Sequence, residues 1–301
     1  MFEKYLNNRF LTLYFFPLII GSLSVLSFQP FNFSIINFLI LPLSFYLIVF
    51  IKKKSQSIYR KKPFRKNLFI FGTSFGFGFY LSGLYWITNS LTFDENFRFL
   101  IPLGLILIPL FLSLFFSLTL VIIGPFLNLN FISIFLYSAA LGFSDYIRAK
   151  ILTGFPWNLW SYSFSWATEL LQILNKIGLF AFNLVVITLF MSPAFFFLKT
   201  RPIKKFIPVL ISVSVVFLLY IFGNHSINQN KNINLSKKEK FNIKVISPNF
   251  ELKYGISKEE IEERLLKLAR YSEPNKSIRT LFVWPEGVFS GYSYEEILIL
   301  K

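Results

Sequence analysis

The sequence predicts a polytopic α-helical membrane domain followed by the start of a small α/β domain built on a β-α-β unit. Three observations carry that reading. Apolar residues make up 54% of the chain and charged residues only 15%, against about 25% charged in a soluble globular protein. The deficit is concentrated before residue 224, where long runs lack any charge, as expected when lipid is the solvent. Beyond residue 240 the pattern changes to two short strand-like runs flanking one amphipathic helix.

The apolar stretches run over 10–27, 31–51, 68–91, 98–124, 131–148, 169–198 and 205–223. Most reach the roughly 20 residues that a helix needs to cross a 30 Å hydrocarbon core at 1.5 Å per residue. Helices are the only open-ended way to satisfy backbone polar groups in lipid, so residues 1–223 are expected to form about seven crossings. Pro42, Pro109 and Pro193 lie inside these stretches and are expected to kink them. The stretch after Phe10 lacks an A-x-A-like cleavage site and reads as a first anchor.

The net charge of +16 raises the question of nucleic-acid binding, since basic patches attract phosphate. The positions of the charges argue against it. Eight basic side chains fall between Lys52 and Lys66 and four between Lys199 and Lys205, both between apolar runs. The positive-inside rule places such loops in the cytoplasm. Lys4 and Arg9 then put the N-terminus inside, and seven crossings put everything after Phe222 outside. Every strongly basic loop falls on one side in this scheme, with Arg148 and Lys150 as the small exceptions.

The segment 153–168 crowds Trp157, Trp160, Tyr162 and Trp166 into a short aromatic stretch. It reads either as an interfacial belt or as a re-entrant or surface segment shaping a lipid entrance. Residues 224–240 are polar and form a linker with no hydrophobic period. Phe241 to Ser247 reads as a strand, Ser257 and Glu260 as a capping box, and Ile261, Leu265 and Leu268 as one face of a helix ended by Pro274. Thr280 to Trp284 reads as a second strand. Strand, helix and strand over this length imply parallel pairing, in a domain spanning 241–301 that is expected to be incomplete.

The run Leu281-Phe-Val-Trp-Pro-Glu-Gly287 places Glu286 at the carboxyl end of that second strand. In open α/β sheets this edge gathers ligands and catalytic groups. Trp284 and Pro285 are expected to desolvate the carboxylate partly, which suits a general base. The same residue also reads as an ordinary strand-end Glu. No cysteine occurs anywhere, which removes disulfides, Cys-based metal sites and any thiol nucleophile. His225 reads as incidental, Asp145 and Arg148 as a structural pair near a helix end, and Tyr85 and Trp86 either as interfacial anchors or as part of a lipid site.

Several motifs, in order, resemble the apolipoprotein N-acyltransferase family, bacterial membrane enzymes that add the third acyl chain to lipoproteins. They are Leu26-Ser-Phe-Gln-Pro30, Gly76-Phe-Gly78 with Gly83-Leu-Tyr-Trp86, Thr153-Gly-Phe-Pro-Trp-Asn158, Ile246-Ser-Pro-Asn249 and Val283-Trp-Pro-Glu286. The resemblance covers the whole chain but only the first part of the family's nitrilase-like domain.

It implies a Glu-Lys-Cys triad in which Cys takes an acyl group from a phospholipid as a thioester and passes it to the α-amine of an apolipoprotein. Here the resemblance carries over Glu286 alone as catalytic, the family's Lys and Cys belonging beyond residue 301. It also implies substrate contacts at Trp284, Trp157 and Tyr254, the last standing near the family's usual Trp, while Ser247 replaces a usual Gln. Lys301 is not the catalytic Lys. The resemblance implies no cofactor and no metal, and the partners are a phospholipid donor, an apolipoprotein acceptor and the membrane, not nucleic acid.

The implied location is the cell inner membrane, with residues 241–301 on the periplasmic side. This 301-residue chain is expected to be inactive by itself, since it lacks the nucleophile. The rival readings are a truncated homologue without activity and a multi-pass transporter or lipid-binding scaffold. A transporter would carry ionisable groups deep in its helices, and these stretches hold few, chiefly Lys176.

Overall fold

A computed structural model describes residues 8–55, 64–231, 241–251, 255–275, 277–287, 293, 295 and 296. Two compact units appear, one of residues 1–88 and 100–232, the other of 89–99 and 233–301. The first is a helical bundle. Its helices are α1 (Phe16–Ser24), α2 (Asn37–Lys54), α3 (Phe64–Leu84), α4 (Ile101–Ile123), α5 (Phe131–Arg148), α6 (Leu174–Phe190) and α7 (Pro202–Lys231).

Counting continuous 3-10 turns, five spans among the described residues are long and apolar enough to cross a membrane. They are Ser34–Lys54, Phe64–Thr92, Glu95–Phe126, Leu174–Phe197 and Pro202–Asn230. Leu11–Ser27 is apolar but shorter. The helix α5 covers the remaining apolar stretch and carries a buried charged pair. The chain is thus a mostly helical, multi-pass membrane protein.

Helix α3 sits between α1 and α4, and small residues let the backbones approach. A methyl group added to Gly72 would stand 2.7 Å from the Ser117 Cα, and one added to Gly76 would stand 2.8 Å from the Ser113 Cα. Close approach of this kind replaces the hydrophobic drive that lipid cannot supply. Hydroxyls join the same helices: Thr73 and Ser117 share a 2.8 Å hydrogen bond, and the Ser22 hydroxyl donates to the Gly78 carbonyl at 3.2 Å. Phenylalanines fill the rest, with Phe79 packed on Phe116 and stacked on Trp160.

Side-chain contacts sort the connections into two ends. At one end the Lys52 ammonium donates to the carbonyls of Pro125 and Leu127, both at 2.8 Å, and Asn67 donates to Ser55. Phe131 packs on Phe195 at that same end. At the other end Ser34 donates to the Ser163 carbonyl, Trp166 donates to Ser34, and Trp86 meets Trp157. The basic loops therefore share one end, as the positive-inside argument requires. Part of the first basic cluster, residues 56–63, lies outside the described residues.

Proline behaves differently from position to position. Pro42 and Pro109 lie inside α2 and α4. Pro193 instead starts a 3-10 turn after α6 has ended at Phe190. The break in the sixth stretch falls at Gly178, whose φ of 77° is left-handed. Lys176 precedes that break and is exposed, so it does not lie within the packed bundle. Helix α7 continues to Lys231, past the apolar stretch, with Asn224 accepting from Asn228 and His225 bonded to Gln229 one turn apart.

In the second unit, β1 (Asn242–Val245) and β2 (Thr280–Val283) pair in parallel, Asn242 opposite Thr280 and Val245 opposite Val283. Helix α8 (Lys258–Ser272) joins them. Its N-terminus is capped by the Ser257 hydroxyl, which accepts from the Glu260 N–H at 3.3 Å. Glu273 turns left-handed (φ 44°) at its end, and Pro274 prevents continuation. Ile246, Leu268, Phe250, Phe282 and Trp284 form a small core between helix and strands.

Candidate functional site

The T-G-F-P-W-N segment follows directly from α5 and folds back on it. Gly154 adopts φ 77° and Asn158 φ 55°, left-handed conformations that glycine adopts freely and that asparagine tolerates. The tight turn brings the Phe155 N–H to the Arg148 carbonyl at 3.0 Å. It also aims the Phe155 and Trp157 carbonyls inward, and one Arg148 nitrogen donates to both at 2.7 Å. Pro156, lying between them, offers no competing N–H.

The other guanidinium arm donates to Asp145 at 3.0 Å. The second Asp145 oxygen accepts from the Asn183 side chain of α6 at 2.9 Å, and the Asn183 side-chain Oδ1 accepts from the Ser161 N–H at 2.9 Å. Tyr80 of α3 faces the guanidinium carbon at 5.4 Å. Three helices and the aromatic segment are thereby tied to one buried polar network, in which each charge has a partner. Asp145 and Arg148 pair as the sequence indicated. Asn183 and Tyr80 were not singled out, although Asn183 is a lone amide in an apolar run, a signal that marks function or packing inside a membrane.

The aromatic segment is neither a plain belt nor a plain surface loop. Trp160 is 1% exposed and stacked on Phe79, whereas Trp157 and Trp166 are 49% and 54% exposed. Trp157 meets the Trp86 ring edge-on at 5.3 Å. A methyl group on Gly83 would collide with the Asn158 amide, so the Gly83-Leu-Tyr-Trp86 and Thr153–Asn158 motifs are adjacent in space. Beside them a 400 Å³ crevice opens between α4 and the 151–155 turn, lined by Leu107, Phe111, Phe115, Arg148, Leu152 and Phe155.

In the second unit Trp284 and Glu286 lie just past β2. Trp284 is half-buried on α8, its indole N–H donating to the Ser272 hydroxyl at 3.0 Å. Glu286 occupies a turn ahead of Gly287 (φ 77°) and is exposed. The partial desolvation expected for it is absent among the described residues, because α8 covers one face of the strand pair and Trp284 turns toward that helix. Tyr254 lies outside the described residues. No cluster of three or more His, Cys, Asp or Glu occurs among the described residues.

Comparison with known proteins bears on these motifs. A family profile described as the apolipoprotein N-acyltransferase N-terminal domain matches residues 20–192. An apolipoprotein N-acyltransferase of Rhodopseudomonas palustris is 26% identical over 283 residues, covering 90% of this chain and 51% of the relative. One from Bradyrhizobium diazoefficiens is 27% identical over 279 residues, covering 89% of this chain and 50% of the relative. One from Rhizobium etli is 31% identical over 183 residues, 58% of this chain and 33% of the relative. The chain spans about half the length of the first two. The profile covers more than half of the residues and takes in the Gly83 and Thr153–Asn158 motifs that meet in the bundle, and the chain belongs to the apolipoprotein N-acyltransferase family.

Proposed function

We propose that this chain is the membrane domain and the first β-α-β unit of an enzyme that moves an acyl chain from phospholipid to the N-terminal Cys of an apolipoprotein. It sits in the inner membrane, with residues 241–301 on the periplasmic side. The observation that carries the reading is the family membership together with a parallel β-α-β unit that delivers Glu286 just past the carboxyl end of β2. In such sheets that edge is where reacting groups gather.

The first soluble strands are read as the start of a nitrilase-like domain. Glu286 is the general base that takes the thiol proton. The thiolate attacks the phospholipid ester carbonyl, a lysophospholipid leaves, and a thioester remains. The apolipoprotein amine then attacks that thioester, forming an amide and returning the thiol. Splitting acyl transfer in this way replaces one difficult step with two easier ones. These 301 residues contain no cysteine, so the nucleophile and its Lys partner come from sequence outside them, and this polypeptide alone is inactive.

The acyl chain of the donor is assigned to the end of the bundle where the 400 Å³ apolar crevice opens, lined by Ile87 and Phe155, close in sequence to the paired Trp86 and Trp157. Trp284 holds the Pro285–Glu286 turn through its bond to Ser272 and, with Tyr254, is assigned to substrate contact. The test is Glu286→Gln in the full-length protein, with lipoproteins read by mass spectrometry. Loss of a general base lowers the rate by roughly 10²–10⁴-fold, and diacylated precursor should accumulate. Triacylation at the unmodified rate would overturn the assignment.

A further inference from the structure

A second apolar crevice, larger than the 400 Å³ one, is not at the Trp157 end. It lies at the basic end, between the start of α5, the second half of α6 and the first half of α7, with a volume of about 1030 Å³. Phe135, Leu184, Thr188, Ile207, Ile211 and Val215 are among its walls, and Lys199 and Lys204 stand at its mouth. Helix α7 creates it by standing away from its neighbours. Near its start Phe206 packs on Phe196, near its far end Gly223 closes on the Glu169 backbone, and only 6% of its apolar window is buried.

Charge and length identify the occupant. Both lysines are exposed, and the sequence holds no acidic residue between Glu169 and Glu239. None of the crevice-lining residues is acidic either. From Lys204 to Val215 the wall rises about 16 Å at 1.5 Å per residue, close to the ~15 Å half-thickness of a hydrocarbon core. A cationic mouth above an apolar slot of that depth matches an anionic headgroup carrying an acyl chain. Basic pockets between transmembrane helices on the cytoplasmic side bind such headgroups.

We propose that an anionic glycerophospholipid occupies this crevice, one acyl chain lying along α7 and its phosphate held between Lys199 and Lys204. The site is at the opposite end of the bundle from Trp157 and independent of the acyl-transfer reading. It tethers α7, which the protein alone holds weakly.

The experiment uses the full chain reconstituted in nanodiscs with diazirine-tailed phosphatidylglycerol or phosphatidylcholine, and crosslinks are mapped by mass spectrometry. Phosphatidylglycerol should label 184–188 and 207–215 in preference to phosphatidylcholine. Lys199→Gln with Lys204→Gln should weaken that preference by roughly fivefold for each lysine removed. Ala139→Phe with Ser212→Phe, which fills the slot while leaving both lysines, should abolish labelling. Equal labelling by the two lipids, labelling unaltered by the glutamines, or no labelling of 184–188 and 207–215 by either lipid would each overturn the proposal.

Discussion

The Arg148 guanidinium lies 3.0 Å from the Asp145 carboxylate inside the bundle, with the two side chains only 1% and 8% exposed. Both belong to α5, three residues apart, so the pair forms within a single helix. What the pair organises is not local. Arg148 holds the carbonyls of the aromatic segment, and Asp145 holds Asn183 of α6.

Replacing Asp145 with Ala leaves a buried guanidinium without its counter-charge. Removing one partner of a buried pair costs about 3–5 kcal/mol. The thermal midpoint of the detergent-solubilised protein should fall accordingly. Asp145→Asn, which keeps a hydrogen-bonding group toward Arg148, should fall less. Equal midpoints for the alanine variant and the unmodified protein would show that the network does not hold the segment.

Gly76 tests the packing of α3 on α4. A valine there must displace the Ser113 backbone, since even a methyl group would stand 2.8 Å from the Ser113 Cα. Overpacking costs about 1–3 kcal/mol, again read as a lowered thermal midpoint. The same substitution at Gly255, where nothing lies within 4 Å of an added methyl group, meets no neighbour and strains only its own left-handed φ of 68°.

How much was legible in the sequence follows from the physics of each element. The apolar stretches were readable because lipid demands length and apolarity of each crossing in isolation. The capping box and parallel strands were readable because Ser257, Glu260 and the flanking β-branched runs act locally. The Gly178 break was not, because nothing in one sequence separates a glycine that bends the chain from one, such as Gly76, that lets helices approach. The exposure of Glu286 was equally hidden: desolvation depends on what covers a strand end, and its neighbours Trp284 and Pro285 do not determine that.

Lys52 offers a third test. Its ammonium donates to two backbone carbonyls at 2.8 Å and to the Asn128 side chain at 3.3 Å, fastening α2 to the α4–α5 turn. Lys52→Met strands those acceptors at a cost of about 1–3 kcal/mol. The neighbouring Lys53 is exposed, and Lys53→Met should stay within about 0.5 kcal/mol. The paired melting curves check both at once, and equal losses would mean that the buried contacts contribute nothing beyond charge.

The last prediction concerns which end faces which compartment. Expressed by themselves, these 301 residues contain no cysteine, so a single introduced cysteine is the one thiol and reports its own position. Ser165 is exposed at the end where Ser34 meets Ser163 and Trp86 meets Trp157, and Thr200 is exposed at the end holding Lys52 and Lys199. If basic loops are retained in the cytoplasm, a membrane-impermeant maleimide added to intact spheroplasts should label Ser165→Cys and spare Thr200→Cys. Lysis should make both reactive. The opposite pattern would place Pro202, where α7 begins, outside and its far end at Gly223 inside. The strand that precedes Glu286 would then enter the cytoplasm. That outcome would overturn the periplasmic placement proposed for residues 241–301.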